Sequence, residues 1–242
     1  MISIIIPAHN ENANLDELLP YLEHLHSPDG FVEVIVALSA TSAPYPREIQ
    51  LKDQFKVIRC AGNGRALQMN EGAENAVGDV LAFLHADVRP PGEFLHNIKE
   101  ALDNGFEAGF FSYRFNSENK LLKVNASFTG KDGLFTGGGD QCLFIRKKLF
   151  KELGKFDPDQ VLMEDFEFFK RMKQRGVAYT IIKNDLLVSA RKYEQNSYLK
   201  INLTNLILVI LFRLGTPARR LKGIHDFMLK TNYHKPLHAS NE

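Results

Sequence analysis

Hydrophobic positions along this chain fall into short continuous runs separated by stretches of helical spacing. The runs Ile2 to Pro7, Val32 to Leu38 and Val80 to Leu84 are largely apolar and of strand length, and Phe55 to Arg59 reads as a further strand. Helical spacing predicts helices from Asn14 to about His26, Arg65 to Ala76 and Glu93 to Asn104. This alternation argues for an α/β fold with a largely parallel sheet, helices on both faces and right-handed crossovers.

The rhythm changes at Gly109, where Gly109 to Phe115 reads as a strand and Leu121 to Phe128 as a short helix. A glycine-rich loop, Gly130 to Gly139, follows. Gln141 to Arg146 reads as a strand, Lys147 to Leu153 as a helix and Gly154 to Val161 as a loop. An amphipathic helix starts near Glu164, with Phe166, Phe169 and Met172 at helical spacing, and ends at Gly176. Strands at Ala178 to Ile182 and Leu186 to Ser189 complete the sheet.

The tail differs in kind. Ile201 to Phe212 is the most apolar stretch of the chain and precedes Arg213, Arg219, Arg220 and Lys222. It falls short of the ~20 apolar residues that a membrane span needs. Two readings stay open for residues 198–222: a helix packed on the domain or a second copy, which Asn202, Thr204 and Asn205 favour, or a peripheral contact with a membrane surface. The expected division is a domain over residues 1–195 and a helical extension over 196–242, with His234 to Glu242 a frayed end.

Composition narrows the field without choosing within it. The chain has 242 residues, 44% of them hydrophobic, which is ample for a sizeable core. A formal net charge of +1 gives no global reason to expect nucleic acid as a partner. Cys60 and Cys142 are the only cysteines, too few for a disulfide framework or a metal knuckle, so they read as reduced thiols. The first run follows Met1 with no basic flank and no cleavage site, so it reads as a strand rather than a signal peptide. The expected location is the cytoplasm or the inner face of its membrane.

Candidate chemistry gathers at strand ends. Pro7-Ala8-His9-Asn10-Glu11, Ser39 to Ala43, Gly62-Asn63-Gly64-Arg65 and His85-Ala86-Asp87 each follow one of the first four strands. In a parallel sheet they converge on one crevice, the place where open α/β folds bind ligands. Gly64-Arg65 opens a helix whose free N–H groups and guanidinium suit a phosphate, or it is a turn before a solvated helix. Asp87 suits a hard cation such as Mg²⁺ or Mn²⁺, or caps the turn before Pro90-Pro91. His9 and His85 at strand ends also suit backbone hydrogen bonds. Glu164-Asp165 opens a helix, a placement the macrodipole favours by itself, and a sheltered carboxylate there also suits a general base.

In order and spacing these segments resemble the family 2 glycosyltransferases, and within them a small bacterial subgroup with His-Ala-Asp in place of Asp-X-Asp. The likeness runs from Ser3 to Glu11, Gly64 to Ala73 and Gly78 to Asp87, then through Gly139-Asp140-Gln141, Leu162 to Glu167 and Ser189 to Tyr193. It implies the GT-A fold, a Rossmann-like, mostly parallel mixed sheet flanked by helices. It also implies inverting, metal-assisted transfer of a sugar from a nucleotide-diphosphate donor to an acceptor hydroxyl in cell-envelope glycan synthesis, the acceptor being unspecified or lipid-linked. The donor site would draw on Pro7, Ala8, His9, Glu11, Gly64, Arg65, His85, Ala86, Asp140 and Arg191. Asp87 would hold Mg²⁺ or Mn²⁺, and Asp165, with Glu164 beside it, would be the base.

Two positions depart from the family. Its acid at the end of the second strand, and a further one five residues on, align with Leu38 and Ala43. A leucine cannot accept a hydrogen bond from a nucleotide base. Leu38 therefore keeps a second reading open, a degenerate member that binds a sugar nucleotide or a partner without transfer. A nucleotidyltransferase fits less well, because no glycine-rich phosphate loop follows the first strand.

Overall fold

A computed structural model of the chain describes residues 1–25, 32–45 and 52–229. Two compact units are present, Met1–Ala190 and Arg191–Glu242. In the first, strands β1 (Ile2–Ala8), β2 (Val32–Leu38), β3 (Phe55–Arg59) and β4 (Val80–Phe83) run parallel, with β1 between β2 and β4. Ser3 to Ala8 are all buried, as a near-continuous apolar run requires of a strand covered on both faces. Helix α1 (Asn12–Glu23) links β1 to β2, and α2 (Arg65–Asn75) links β3 to β4.

The second half of the sheet is mixed. Strand β5 (Val88–Arg89) and helix α3 (Phe94–Asp103) follow β4, then β6 (Ala108–Phe115), α4 (Lys120–Ala126), a 3₁₀ turn at Gly139–Gln141 and β7 (Phe144–Arg146). Helices α5 (Lys147–Glu152) and α6 (Glu164–Gln174) precede β8 (Tyr179–Val188). Strand β7 is antiparallel to β4 and β6, β8 is parallel to β6, and β5 is antiparallel to β8. Among the described residues the order is β3-β2-β1-β4-β7-β6-β8-β5.

Several elements differ from the pattern-based expectation for local reasons. Helix α1 starts two residues early because Glu11, not Asn14, supplies the first acceptor, its carbonyl taking the Leu15 N–H at 2.9 Å. Its expected end at His26 lies outside the described residues, as do His234 to Glu242. The strand expected from Gln141 is shortened to Phe144–Arg146. The Gln141 side chain instead closes the glycine-rich loop, accepting from Gly137 N at 2.8 Å and donating to Thr129 O at 2.9 Å. The two last strands are one, β8. Asn184 and Asp185, which read as a break, find partners in Asn97 and Ser112, and the pairing with β6 slips between Phe111 and Tyr113.

Under the carboxyl end of β4 the core is aromatic. The rings of Phe83, Phe150, Phe156 and Phe168 pack at centroid distances of 4.9 to 5.3 Å. Each such pair adds about 0.5–1.5 kcal/mol beyond the area it buries. The cluster fixes the end of β4 against the first turns of α6, the two places where sequence put the acidic residues.

The second unit is helical: α7 (Arg191–Gln195), α8 (Tyr198–Arg213) and α9 (Ala218–Met228). Ser197 caps α8 by accepting from Lys200 N, and Gly215, at φ 82°, turns the chain after Leu214. Helices α8 and α9 pack on each other. Among the described residues, no helix is long and apolar enough to cross a membrane.

Candidate active site

The loops after β1, β2 and β3 are tied into one cradle. His9 Nδ1 lies 2.5 Å from Ser39 Oγ, Asn10 N donates to Ser42 Oγ at 3.0 Å, and Ala43 N donates to Asn10 Oδ1 at 2.9 Å. Asn63 Oδ1 accepts from Thr41 N and Oγ1 at 3.2 and 2.9 Å. Arg59 Nη1 donates to the Ser42 carbonyl at 2.8 Å, so a guanidinium braces the loop whose family acids are replaced by Leu38 and Ala43. Leu38 itself is buried.

The predicted donor residues divide by role. Pro7 and Ala8 are buried within β1, so the open edge begins at His9. Glu11 precedes the first turn of α1 and accepts from Asn14 Nδ2 at 2.5 Å. Gly64, at φ 118°, makes the turn into α2, a conformation a side chain rarely tolerates. Ala86 is buried, and its carbonyl accepts from Arg89. Arg191 opens α7 in the second unit.

Asp87 stands one residue before β5, half-buried. Among the described residues its carboxylate has no hydrogen bond or ion pair, and no group of three or more His, Cys, Asp and Glu could hold a metal. A lone carboxylate fits Mg²⁺ or Mn²⁺ shared with phosphate oxygens, the usual arrangement for these ions, and does not fit an all-protein cage. Among the described residues Asp87 does not cap the turn before Pro90-Pro91.

The acids at the start of α6 take separate tasks. Glu164 is buried and pairs with Arg65, Nε to Oε1 at 2.8 Å, so the first residue of α2 is bonded to the first of α6. Asp165 Oδ2 accepts from Gly139 N, and its Oδ1 accepts from Phe166 N at 2.8 Å. Gly139 is wedged beside two residues of the site. A Cβ built on it would lie 2.5 Å from His85 Cε1 and 3.1 Å from Asp165 Oδ2. His85 Nδ1 is 3.6 Å from Asp140 Oδ1 on the same turn. The triplet after β4 and the carboxylate of α6 therefore meet across the glycine loop, lining one small pocket above Phe83, Phe110 and Phe156.

Burial pushes the Asp165 carboxyl up to about 6, and the Glu164 charge beside it adds to the rise. Arg65, the Phe166 N–H and His85 oppose the shift. Left-handed backbone gathers here as well. Asn10, Cys142 and Met163, at φ 56°, 50° and 64°, stand respectively after β1, after the 3₁₀ turn and before α6. Such strain is held only where its surroundings fix it, and it clusters at functional sites. Both thiols are buried; burial and Glu71 push Cys60 up to about 12, and burial alone pushes Cys142 up, which leaves neither reactive.

Three organising residues lie within the motif segments but receive no individual role from the sequence. Gln68, buried on α2, donates to Ala8 O at 2.8 Å and Ala37 O at 2.7 Å, stitching the ends of β1 and β2. Asn70 exchanges hydrogen bonds with the Phe156 backbone at 2.8 and 3.0 Å. Gly139 is the third. The available signal for Gln68 was a polar residue on a helix face otherwise made of Ala66, Met69, Gly72 and Ala73.

A curled, mostly parallel mixed sheet with acids at the ends of β4 and the start of α6 defines the class of GT-A glycosyltransferase folds. The model of the family described as glycosyl transferase family 2 matches residues 3–172, and the chain belongs to that family. The probable glycosyltransferase YdaM of Bacillus subtilis is 25% identical over 199 residues, covering 72% of this chain and 47% of YdaM. This chain thus spans about half the length of that relative. Among solved structures, the mannosyltransferase PcManGT of Pyrobaculum calidifontis, in complex with GDP-Man and Mn²⁺, superposes with a TM-score of 0.66 at 15% identity, covering 94% of this chain and 69% of that one. TarS 1-349 of S. aureus, in complex with UDP-GlcNAc, gives a TM-score of 0.64 at 16% identity over 96% of this chain and 74% of that one.

Proposed function

We propose that this protein transfers a sugar from a nucleoside-diphosphate donor to an acceptor hydroxyl with inversion. The observation that carries the reading is the meeting of His85 and Asp165 beside Gly139, which puts a basic carboxylate next to the loop that holds Asp87. Donor binding falls to the cradle of His9, Glu11, Gly64 and Arg65, with His85, Ala86 and Asp140 beside the sugar. Mg²⁺ or Mn²⁺, held by Asp87 and the donor's diphosphate, would offset the charge on the departing nucleoside diphosphate. GDP-Man with Mn²⁺ in PcManGT and UDP-GlcNAc in TarS support a donor of this class.

In this reading Asp165 takes the acceptor's hydroxyl proton as that oxygen bonds to the anomeric carbon. The bond from that carbon to the diphosphate breaks on the opposite face, and the leaving oxygen keeps the electron pair. Raising the carboxyl toward 6 strengthens it as a base while leaving it ionised at neutral pH. Glu164, turned to Arg65, positions α6 rather than touching the acceptor.

Leu38, where the family has a base-recognising acid, keeps open the second reading of a degenerate member that binds a sugar nucleotide or a partner without transfer. A panel of nucleotide sugars, with and without Mn²⁺, separates the two by thermal shift and release of nucleoside diphosphate. Sugar transfer predicts a shift that requires Mn²⁺, is lost in Asp87→Ala and is accompanied by turnover. A shift with no turnover for any donor or acceptor supports the binding protein, and no shift with any member contradicts both.

A further inference from the structure

Helix α8 carries an exposed apolar stripe along its length. Leu199, Leu203, Leu206, Ile210 and Leu214 are 38–76% exposed. They are spaced four, three, four and four residues apart, so at about 100° per residue they line one side of the helix. The polar residues that interrupt the run in sequence fall elsewhere. Thr204 is buried and donates to Lys200 O at 2.7 Å, and Asn202 donates to Tyr198 O at 2.9 Å. The apolar face is therefore unbroken, and it is more than scattered surface leucines would give.

The charges on α8 are of one sign. Lys200 and Arg213 on α8 and Arg219 and Arg220 on α9 are exposed, α8 contains no Asp or Glu, and the one carboxylate of α9, Asp226, is paired with Lys222. Two copies joined through this face would bring Lys200 and Arg213 of each together with no carboxylate of α8 to meet them, a juxtaposition that costs affinity. An anionic lipid surface meets both features at once, taking the leucines into its acyl boundary and the cations at its headgroups.

We propose that α8 lies in the surface of an anionic bilayer, anchoring the chain peripherally through Leu199, Leu203, Leu206, Ile210 and Leu214. This surface belongs to the second unit, and its lipid binding does not depend on the sugar-transfer reading.

Vesicle flotation of the full chain tests it. The protein is expected to rise with phosphatidylcholine vesicles carrying about a third phosphatidylglycerol, and to stay below with phosphatidylcholine alone. The variant L203Q/I210Q, altered only at exposed positions, is expected to keep its melting temperature and lose at least about tenfold in bound fraction. A wild-type chain that stays below with anionic vesicles overturns the proposal. So does a variant that floats as wild type does. Sedimentation supplies the competing occupant: a dimer that L203Q/I210Q dissociates, with no flotation, would assign the face to a second copy.

Discussion

Asp165 is a carboxylate under opposed influences, raised by burial and by Glu164 and lowered by Arg65, the Phe166 N–H and His85. As a base it works only when ionised, so turnover is expected to fall about tenfold per unit as pH drops below about 6. A pH–rate profile flat from 7 down to 5 would remove Asp165 from the proton transfer. The same shift carries a stability consequence. Because the folded carboxyl binds its proton more tightly than the unfolded one, stability falls as pH rises from the unfolded value of 3.8 to about 6. Gly139→Ala drives a methyl to within 2.5 Å of His85 and should cut turnover on the order of 100-fold, as a misplacement of about 1 Å does. Gly138→Ala makes only ordinary contacts, 3.5 Å or more, and serves as the matched control in the same steady-state assay. The places of Asp87 at the sheet edge and Asp165 at a helix start were legible from residue type and position. The wedge at Gly139 was not, since three consecutive glycines read equally well as a mobile loop until the neighbours of each are known.

Among the elements, α2 and α6 frame the site, joined by Arg65 and Glu164 at their first residues. Helix α2 also holds the sheet edge through Gln68, whose amide satisfies two carbonyls at the ends of β1 and β2. Gln68→Leu keeps the volume, removes the amide from Ala37 O and leaves Ala8 O with the Ser39 N–H alone, so it should destabilise by about 1–3 kcal/mol. For a chain of this size each kcal/mol lowers the melting temperature by roughly 2–4 °C, readable by calorimetry. An unchanged melting temperature would mean that Gln68 does not order the edge. The parallel half of the sheet was readable because β1, β2 and β4 are buried on both faces and carry near-continuous apolar runs. The mixed half resisted for physical reasons. Strand β5 has two residues, too few for any period, and β8 passes through Asn184 and Asp185 because partners distant in sequence satisfy them.

At the scale of the molecule, a family 2 glycosyltransferase fold over residues 3–172 brings sequence-distant segments to one sheet edge, and the helical second unit presents α8. The class was legible because the order of the motifs, more than any one of them, follows the order of strand ends in a parallel sheet. Donor identity was not, because Leu38 and Ala43 remove the acids that would mark it and Arg59 braces that loop through backbone carbonyls. The central claim is that Asp165 is the base of a transferase, and donor affinity measured beside turnover in Asp165→Asn tests it most directly. The account predicts Mn²⁺-dependent binding of a nucleotide sugar within about threefold of wild type, with transfer reduced by at least roughly 100-fold. Transfer near the wild-type rate in that variant would contradict it.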